Sequence, residues 1–203
     1  MTARPLLLAT ANRGKLRELR ELLSDLTVLG LHDVGIDDLP ETADTFLGNA
    51  TQKAVEAARR TGLPCLADDS GLCVDALDGA PGVYSARFAG RHGDDEANRA
   101  LLLERLRDVP DPLRTARFRC VLALADEAGA LGSQVLHAEG ECLGVIVRAP
   151  RGDGGFGYDP LFVPAGDTRT MAELPSAVKH SLSHRGAALR AMLPTLRGYL
   201  ASL

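Results

Sequence analysis

The sequence predicts an α/β protein with a mixed β-sheet, and three observations support this fold class. In the first half of the chain, short apolar runs typical of buried strands alternate with stretches of helical periodicity. In the second half, strand-like runs follow one another with hairpin-like spacing, which indicates an antiparallel portion. The 203 residues are 45% hydrophobic and 25% charged, ordinary values for a globular protein with a sizeable core. We therefore expect one domain over residues 1–203.

The chain opens with a strand, a turn and an amphipathic helix. Residues 5–10 form an apolar run, and residues 11–14 supply the turn. Five leucines then recur at the spacing of one helix face, namely Leu16, Leu19, Leu22, Leu23 and Leu26. Residues 28–31 are the next predicted strand.

Caps, glycines and turns divide the rest of the chain into elements. Asp44 is expected to cap a long helix that Gly62 ends, and the acidic segment 68–71 is interpreted as a turn between two strands. Pro194 should kink the last helix. The predicted helices span residues 44–60, 94–107 (capped by Asp94 or Asp95) and 183 onward (capped by Ser183). The predicted strands span residues 64–67, 72–74, 117–125, 134–139 and 143–147.

Charge and cysteine content limit the function classes. A formal net charge of -4 provides no general field for binding polymeric nucleic acid or an anionic membrane. None of the apolar runs approaches the roughly 18 residues that a membrane-spanning helix needs. The four cysteines lie in apolar stretches without CxxC spacing, which is typical of buried, reduced thiols. We therefore expect a cytoplasmic protein that binds neither a membrane nor polymeric nucleic acid.

The segment between the first strand and the first helix is a candidate phosphate-binding loop. A helix N-terminus presents unpaired N–H groups and the positive end of the helix dipole, Gly14 permits close approach of the backbone, and Lys15 adds charge. The candidate residues are Thr10, Ala11, Asn12, Arg13, Gly14 and Lys15. The alternative is an ordinary connection that binds no ligand, because the segment is not a Walker A loop.

Two adjacent carboxylates form a candidate metal site. Asp68 and Asp69 follow an apolar strand, where they repel each other and lose hydration unless a cation or hydrogen-bond donors compensate. Carboxylate oxygens favour Mg²⁺ or Mn²⁺, and Glu41 could supply a further ligand. The alternative is a turn with two solvated aspartates.

Two later segments are candidates for recognising a base and its phosphates. Phe156, between glycines, could stack on a base, although a turn that buries Phe156 and Tyr158 in the core is the alternative. Near the start of the last helix, Lys179 and Arg185 offer charge, and His184 offers hydrogen bonds.

Lysine is rare in this chain, and its positions support a joint interpretation. Of the 23 Lys and Arg residues, only Lys15, Lys53 and Lys179 are lysines. Isolated lysines near helix starts, together with an acidic metal cluster, indicate a polyphosphate bound through Mg²⁺. The alternative is a compositional bias that left three lysines by chance.

Taken in order, these segments resemble the inosine/xanthosine triphosphate pyrophosphatases, enzymes that remove deaminated purine nucleotides from the nucleotide pool. The matching segments are LATANRGKLREL (8–19), ETADTFLGNATQKA (41–54), LADDSGLCVDALDGAPGVYSARFAG (66–90), GGFGYDPLF (154–162) and SHRGAAL (183–189). The resemblance spans essentially the whole chain, and the segment at 66–90 is its most specific part.

The resemblance implies an elongated, two-lobed molecule with a long central mixed sheet flanked by helices, a cleft between the lobes, and a homodimer. It implies Mg²⁺-dependent hydrolysis of ITP, dITP and XTP to the nucleoside monophosphate and pyrophosphate. By position, Glu41 and Asp69 match metal ligands, and Asp69 also matches the catalytic proton acceptor. The matching substrate contacts are residues 10–15, Lys53, Ser70, Phe156, Gly157, Tyr158, Asp159, Lys179, His184 and Arg185.

One position departs from the family pattern. The acidic residue that usually precedes Asn49 is Gly48 here. A glycine inside a helix costs about 1 kcal/mol relative to alanine. It also removes a possible outer-shell carboxylate from the metal site.

Two rival functions remain open at this point. The first is a pyrophosphatase of similar architecture that acts on modified pyrimidine or methylated nucleotides. The second is a non-enzymatic nucleotide-binding module that senses purine pools. The presence of both Glu41 and Asp69 argues against the binding module, because binding alone does not require a positioned base.

Overall fold

The computed structural model describes residues 4–202, and it confirms the α/β fold class with a mixed sheet flanked by helices. The strands are β1 (Leu6–Leu8), β2 (Val28–Gly30), β3 (Cys65–Val74), β4 (Thr115–Ala125), β5 (Val135–Ile146) and β6 (Phe162–Pro164). The helices are α1 (Arg13–Leu22), α2 (Phe46–Thr61), α3 (Asp95–Arg105), α4 (Ser176–Leu182) and α5 (His184–Ala201). The six strands form one sheet in the order β2-β1-β3-β4-β5-β6. β1 pairs in parallel with β2 and β3, whereas β5 and β6 are antiparallel, as expected for the second half.

The chain divides into two compact units, each with its own core. Unit 1 comprises the chain up to Asp69, Cys120–Gly140 and the chain from Ala188, and unit 2 comprises Ser70–Arg119 and Glu141–Ala187. The core of unit 1 contains Leu6, Leu8, Leu19, Leu23, Leu66, Cys120, Leu122, Leu124, Ala188, Leu189, Met192 and Leu196. The core of unit 2 contains Leu72, Val74, Leu102, Leu106, Ala116, Phe118, Cys142, Ile146, Tyr158, Leu161, Phe162, Met171 and Leu174. The expected cleft stays a prediction.

The structure describes the state of the cysteines and the apolar character of the helices. All four cysteines are buried free thiols, which confirms the prediction made from their apolar surroundings. Within residues 4–202, no helix combines the length and the apolar character that crossing a bilayer requires.

The prediction of an acidic turn at residues 68–71 is wrong, because β3 runs without interruption from Cys65 to Val74. The two aspartates lie in the middle of β3, and nine of its ten residues are buried. A polar segment can stay in a buried strand when its side chains find partners, and both aspartates do so.

The predicted break in the second long strand is also wrong. β5 is continuous, and its exposed positions alternate regularly across the expected gap: His137, Glu139, Glu141, Leu143 and Val145. Alternation with a period of two is the signature of a single strand with one face in solvent. The presence of Gly140 therefore does not interrupt the strand.

Helix caps follow the predictions with one exception. Thr45, rather than Asp44, caps α2, because its side chain accepts a hydrogen bond from the backbone of Gly48 at 3.0 Å. Gly62 ends α2 and Asp94 caps α3, as predicted. Ser183 caps α5 by accepting from the backbone of Gly186 at 3.0 Å.

The segment before α5 contains an element that the sequence did not reveal. α4 begins after Pro175 and ends at Leu182, one residue before the cap of α5. α5 then continues past Pro194 to Ala201, and the expected kink stays a prediction.

Core packing around β3 predicts the effect of a truncation in unit 1. Leu66 is completely buried two residues before the aspartates, so Leu66→Ala should lower the free energy of unfolding by about 3 kcal/mol through lost burial and a cavity. Leu113→Ala, at a side chain 60% exposed, is the matched control and should change it by less than about 0.5 kcal/mol. Urea unfolding of both variants measures the difference, and equal losses would contradict the core placement of Leu66.

Candidate active site

Asp68 and Asp69 lie side by side in β3 with both side chains buried, at relative exposures of 0% and 6%. Because neighbouring residues of a strand point to opposite faces of the sheet, the two carboxylates contact different helices. Asp68 pairs with Lys15 of α1, and Asp69 pairs with Lys53 of α2. The alternative interpretation as solvated aspartates is therefore wrong.

The ammonium group of Lys53 brings the carboxylates of Glu41 and Asp69 together. Its Nζ donates hydrogen bonds to Glu41 Oε1, to the backbone oxygen of Asp68 at 2.7 Å and to Asp69 Oδ1 at 3.3 Å. Lys53 is only 4% exposed, so these acceptors replace the water that burial removes. Glu41 and Asp69 therefore lie within reach of a single cation.

Asn49 fixes the second oxygen of Asp69. Its Nδ2 donates to Asp69 Oδ2 at 3.2 Å, and its Oδ1 accepts from the backbone of Ala43 at 2.9 Å. At the preceding position, a Cβ atom on Gly48 would come within 2.6 Å of the Cβ of Ala43. An acidic side chain at residue 48 would thus require the segment that leads into α2 to shift.

Burial raises the pKa of the Asp69 carboxyl above its usual value of 3.8. Lys53, Lys15 and the hydrogen bond from Asn49 act in the opposite direction, and Glu41 adds to the increase. The net increase means that the surrounding cations do not fully compensate the buried charge. Such a carboxylate favours a further cation or a proton, which is a property common in active sites.

A second buried ion pair joins α1 to β3. Lys15 Nζ lies 2.8 Å from Asp68 Oδ1, and the thiol of Cys120 donates to Asp68 Oδ2 at 3.2 Å. The two oxygens of Asp68 are therefore both engaged. This arrangement fixes the charged end of Lys15 beside the group that contains Asp69, whose pKa Lys15 lowers.

The candidate phosphate-binding loop is ordered by its own side chains. Asn12 caps α1 by accepting from the backbone of Lys15 at 3.0 Å, and Thr10 Oγ1 accepts from the backbone of Asn12 at 3.2 Å. Thr10 is buried, Ala11 and Arg13 are exposed, and Gly14 is partly exposed. The loop therefore places a helix N-terminus and a lysine together, as an anion site requires.

The carboxylates of Glu41 and Asp69 suit a hard divalent cation for which the protein supplies only some of the ligands. Within the part of the chain that is described, no group of three or more His, Cys, Asp or Glu side chains is placed to hold a metal ion. Mg²⁺ is commonly held by one or two carboxylates, with water and substrate phosphates completing its shell. Glu41 and Asp69 are two oxygen donors around one ammonium, and the raised pKa of Asp69 favours an added cation.

Unit 2 contains a second group of candidate residues around Phe156. Lys179 Nζ lies 2.7 Å from Asp159 Oδ2 and 5.2 Å from the centroid of the Phe156 ring. The same carboxylate oxygen accepts from the backbone of Phe156 at 2.9 Å. Asp159 therefore ties Lys179 to the segment that carries the aromatic ring.

The first two residues of α5 complete this second group. Arg185 is almost fully buried, donates to Ser70 Oγ at 2.9 Å, and has its guanidinium carbon 5.8 Å from the centroid of the Phe156 ring. His184 stacks on Phe118 with ring centroids 4.7 Å apart and an angle of 14° between the planes. Two cations thus lie within cation–π range of Phe156.

Phe156 and Tyr158 differ in their surroundings. Tyr158 belongs to the core of unit 2, and its hydroxyl donates to the backbone oxygen of Ser85 at 2.9 Å. Phe156 is only partly buried. The alternative of a core side chain is therefore confirmed for Tyr158, while Phe156 keeps an exposed surface on which a ring could stack. The backbone of Gly157, between them, is bonded to side chains of α3.

Sequence reasoning missed several residues of these two groups. Asn49 carries a signal that could have revealed it, because it precedes Lys53 by four positions and so shares its helix face. Phe118, Asp95 and Arg99 lie outside any motif and carry no such signal. The sequence indicates Asp68 as one of two adjacent carboxylates of a candidate metal site, whereas its pairing with Lys15 depends on a contact distant in sequence.

Comparison with known proteins places the chain among enzymes of nucleotide metabolism. The model of the Ham1 family matches residues 6–195. The dITP/XTP pyrophosphatase of Nocardia farcinica is 54% identical over 202 residues, which cover 97% of this chain and 96% of that protein. A dITP/XTP pyrophosphatase structure from Mycobacterium abscessus is 49% identical with a TM-score of 0.73, covering 94% of this chain and 99% of that one. A HAM1 protein from Coxiella burnetii is 42% identical with a TM-score of 0.84, covering 96% and 99%.

Fold and site thus define an α/β protein in which buried lysines and carboxylates are grouped beside a helix N-terminus. The chain belongs to the Ham1 family. This result confirms the resemblance that its sequence segments indicate.

The buried pair of Lys15 and Asp68 predicts a large coupling energy. Lys15→Met or Asp68→Leu alone should cost about 3 kcal/mol of unfolding free energy, because each leaves a charge in a site that excludes water. The double variant should recover much of this loss, and a double-mutant cycle by urea unfolding measures the coupling.

The exposed pair of Asp25 and Arg197 is the matched control for this cycle. Its side chains are 53% and 56% exposed, so its coupling should stay below about 1 kcal/mol. A coupling for Lys15 and Asp68 no larger than that of the control would contradict the ion pair.

Proposed function

We propose that this chain is a nucleoside triphosphate pyrophosphatase. It hydrolyses the deaminated purine nucleotides ITP, dITP and XTP to the monophosphate and pyrophosphate and so clears them from the nucleotide pool. The observation that carries the proposal is the buried carboxylate of Asp69 among Lys53, Lys15 and Glu41 in a member of the Ham1 family. Relatives at about half identity bear the name dITP/XTP pyrophosphatase, which supports the same activity here.

Glu41 and Asp69 would hold Mg²⁺, for which Mn²⁺ is a possible substitute. When bound, the metal offsets the charge that builds on the phosphate oxygens as the bond between the α- and β-phosphates breaks. Both carboxylates contact the Lys53 ammonium. The negative charge of bound phosphate would offset the repulsion between this ammonium and a metal ion beside it. The donor set consists of oxygen alone, as Mg²⁺ prefers.

Asp69 is the proposed proton acceptor for the water that attacks the α-phosphorus. Burial raises the pKa of Asp69, and a more basic carboxylate removes a proton more readily. Asn49 holds one of its oxygens in place through a hydrogen bond of 3.2 Å, which fixes the direction of the carboxylate. Both features support a positioned base rather than a simple ion-pair partner.

Phosphate binding is assigned to Lys15, Lys53 and the loop from Thr10 to Gly14. The N-terminus of α1 and the two ammonium groups would stabilise the departing pyrophosphate. In the protein alone, these ammonium groups are bonded to carboxylates. A polyphosphate bound with its metal would supply an anion to pair with the ammonium groups and a cation to pair with the carboxylates.

Recognition of the base is assigned to residues of unit 2. Phe156 would stack on the purine, and His184 and Arg185, or neighbouring N–H groups, would donate to the 6-keto oxygen. Adenine presents an amino donor at that position and would leave buried donors without an acceptor, so its rejection can be large. The substrate contacts proposed at Ser70, Gly157, Tyr158, Asp159 and Lys179 follow from the family resemblance. For Tyr158 the contact would come from the backbone, because its side chain lies in the core.

We also propose a homodimer located in the cytoplasm. The buried, free state of all four thiols supports a reducing compartment. The homodimer follows from the family resemblance.

The proposed activity predicts the stoichiometry of its products. With Mg²⁺ and ITP, the purified protein should release IMP and pyrophosphate in equal amounts, as measured by chromatography and a coupled pyrophosphate assay. EDTA is the control and should abolish release. Release of single phosphates would contradict cleavage between the α- and β-phosphates. Faster turnover of a modified pyrimidine triphosphate than of ITP would support a different pyrophosphatase.

The proposed base predicts a selective loss of turnover. Asp69→Asn should fold normally and lose about 10²–10⁴-fold in kcat, because the amide can neither accept the proton nor bind the cation as a carboxylate does. Asp25→Asn changes an exposed aspartate by the same atoms and should keep full activity. Steady-state kinetics with ITP, with circular dichroism to verify folding, measures both. Unchanged turnover in Asp69→Asn would remove this residue from the mechanism.

A further inference from the structure

Helix α3 binds both backbone groups of Gly157. Asp95 Oδ2 accepts from the N–H of Gly157 at 2.7 Å, and Arg99 Nη1 donates to its carbonyl oxygen at 2.8 Å. Asp95 and Arg99 are four positions apart on α3, so both side chains leave the same helix face. These contacts involve residues about sixty positions away in the sequence, and they attach the Phe156 segment to a helix that contributes none of the family-implied site residues.

The Phe156 segment needs an external support because of its composition. Glycines precede and follow Phe156, and glycine gives the backbone the greatest conformational freedom. A Cβ atom on Gly155 would come within 2.1 Å of Asp159 Oδ2, so this close approach excludes a larger residue. A segment that must be built from glycine is held in one conformation only by contacts to its surroundings.

α3 is itself firmly attached to unit 2. Asn98 Oδ1 accepts from the backbone of Ala89 at 2.7 Å, and its Nδ2 donates to the carbonyl oxygen of Ala86 at 3.3 Å. Leu102, on the same helix, is completely buried in the core. The two groups that bind Gly157 therefore extend from a rigid element, as a supporting shell for a binding residue requires.

The two neighbours of Gly157 differ: Tyr158 is anchored in the core, and Phe156 is partly exposed. Tyr158 is fixed in the core by burial and by its hydrogen bond to Ser85, and burial raises the pKa of its hydroxyl well above the usual range. Phe156 keeps part of its ring exposed. Position and tilt of that ring thus depend on the peptide between them, which Asp95 and Arg99 hold.

We propose that Asp95 and Arg99 are positioning residues that set the purine selectivity of this enzyme by fixing the segment that carries Phe156. This inference rests on the proposed function. A fixed ring holds the base at one distance from the donors that meet its 6-keto oxygen. A loosened ring lets a 6-amino purine shift away from those donors, so discrimination between the two bases falls.

Hydrogen exchange tests the positioning without any assay of activity. In Asp95→Ala and Arg99→Ala, amides in a peptide covering residues 154–160 should exchange about tenfold faster than in the wild-type protein. Glu96→Ala and Arg105→Ala make the same charge changes at exposed positions of α3 and should leave exchange unchanged. Asp95→Asn keeps an acceptor oxygen for Gly157 and should stay within about twofold of wild type. Thermal unfolding verifies that every variant is folded.

Kinetics with dITP and dATP tests the selectivity, because these substrates differ only in the 6-substituent of the base and in the proton that the 6-keto form carries on N1. In Asp95→Ala and Arg99→Ala, the ratio of kcat/KM for dITP to that for dATP should fall about five- to tenfold, mainly through a higher KM for dITP. The two control variants should keep the wild-type ratio.

Each outcome decides between the two proposals. Exchange at 154–160 that is the same in Asp95→Ala, Arg99→Ala and the controls would overturn the positioning role. Faster exchange with an unchanged substrate ratio would overturn the role in selectivity. Absence of pyrophosphate release from every purine triphosphate by the wild-type protein would overturn the proposed function, and hydrogen exchange would then still decide whether α3 fixes the segment.

Discussion

Pairing of buried lysines with buried carboxylates is the constraint on which the candidate site depends. Transferring a charged side chain from water into the protein interior costs free energy. The attraction between the two charges of an ion pair offsets this cost only when the geometry is good and further hydrogen bonds are made. Every lysine of the chain meets that condition. The pairs are Lys15 with Asp68, Lys53 with Glu41 and Asp69, and Lys179 with Asp159. Asn49 and Cys120 add hydrogen bonds to the carboxylates of unit 1. The helices α1 and α2, which carry Lys15 and Lys53, are therefore fixed against β3, which carries Asp68 and Asp69.

The same arrangement leaves an electrostatic imbalance that suits a reaction. At Asp69, burial outweighs the neighbouring cations, so the carboxylate is less stable as an anion than it would be in water. Proteins commonly keep such unfavourable groups where substrates or metals relieve them, at some cost in stability. In unit 2, Arg185 is buried in a comparable way, and its contacts with Ser70 and Phe156 orient a charged group beside a partly exposed ring. Both units thus contain buried charged groups that are held in fixed positions.

Local sequence could predict the fold class and the helices α1, α2, α3 and α5, because periodicity and caps act over a few residues, but it did not reveal the short helix α4. It could not predict that β3 continues through Asp68 and Asp69, since their partners on α1, α2 and β4 lie far away in the chain. For the site, the rarity of lysine and the family segments indicated the residues that meet in each unit. The supporting contacts of Asp95 and Arg99 belong to no motif, because a helix face reaches Gly157 only through tertiary packing.

The positions of the lysines also determine how readily a protease that cleaves only after lysine can cut the folded chain. Its three possible cleavage points lie inside α1, α2 and α4, and the lysine side chains there are at most 12% exposed. A peptide bond within a packed helix must leave that helix before a protease can bind it. Cleavage by such an enzyme therefore reports the opening of these helices.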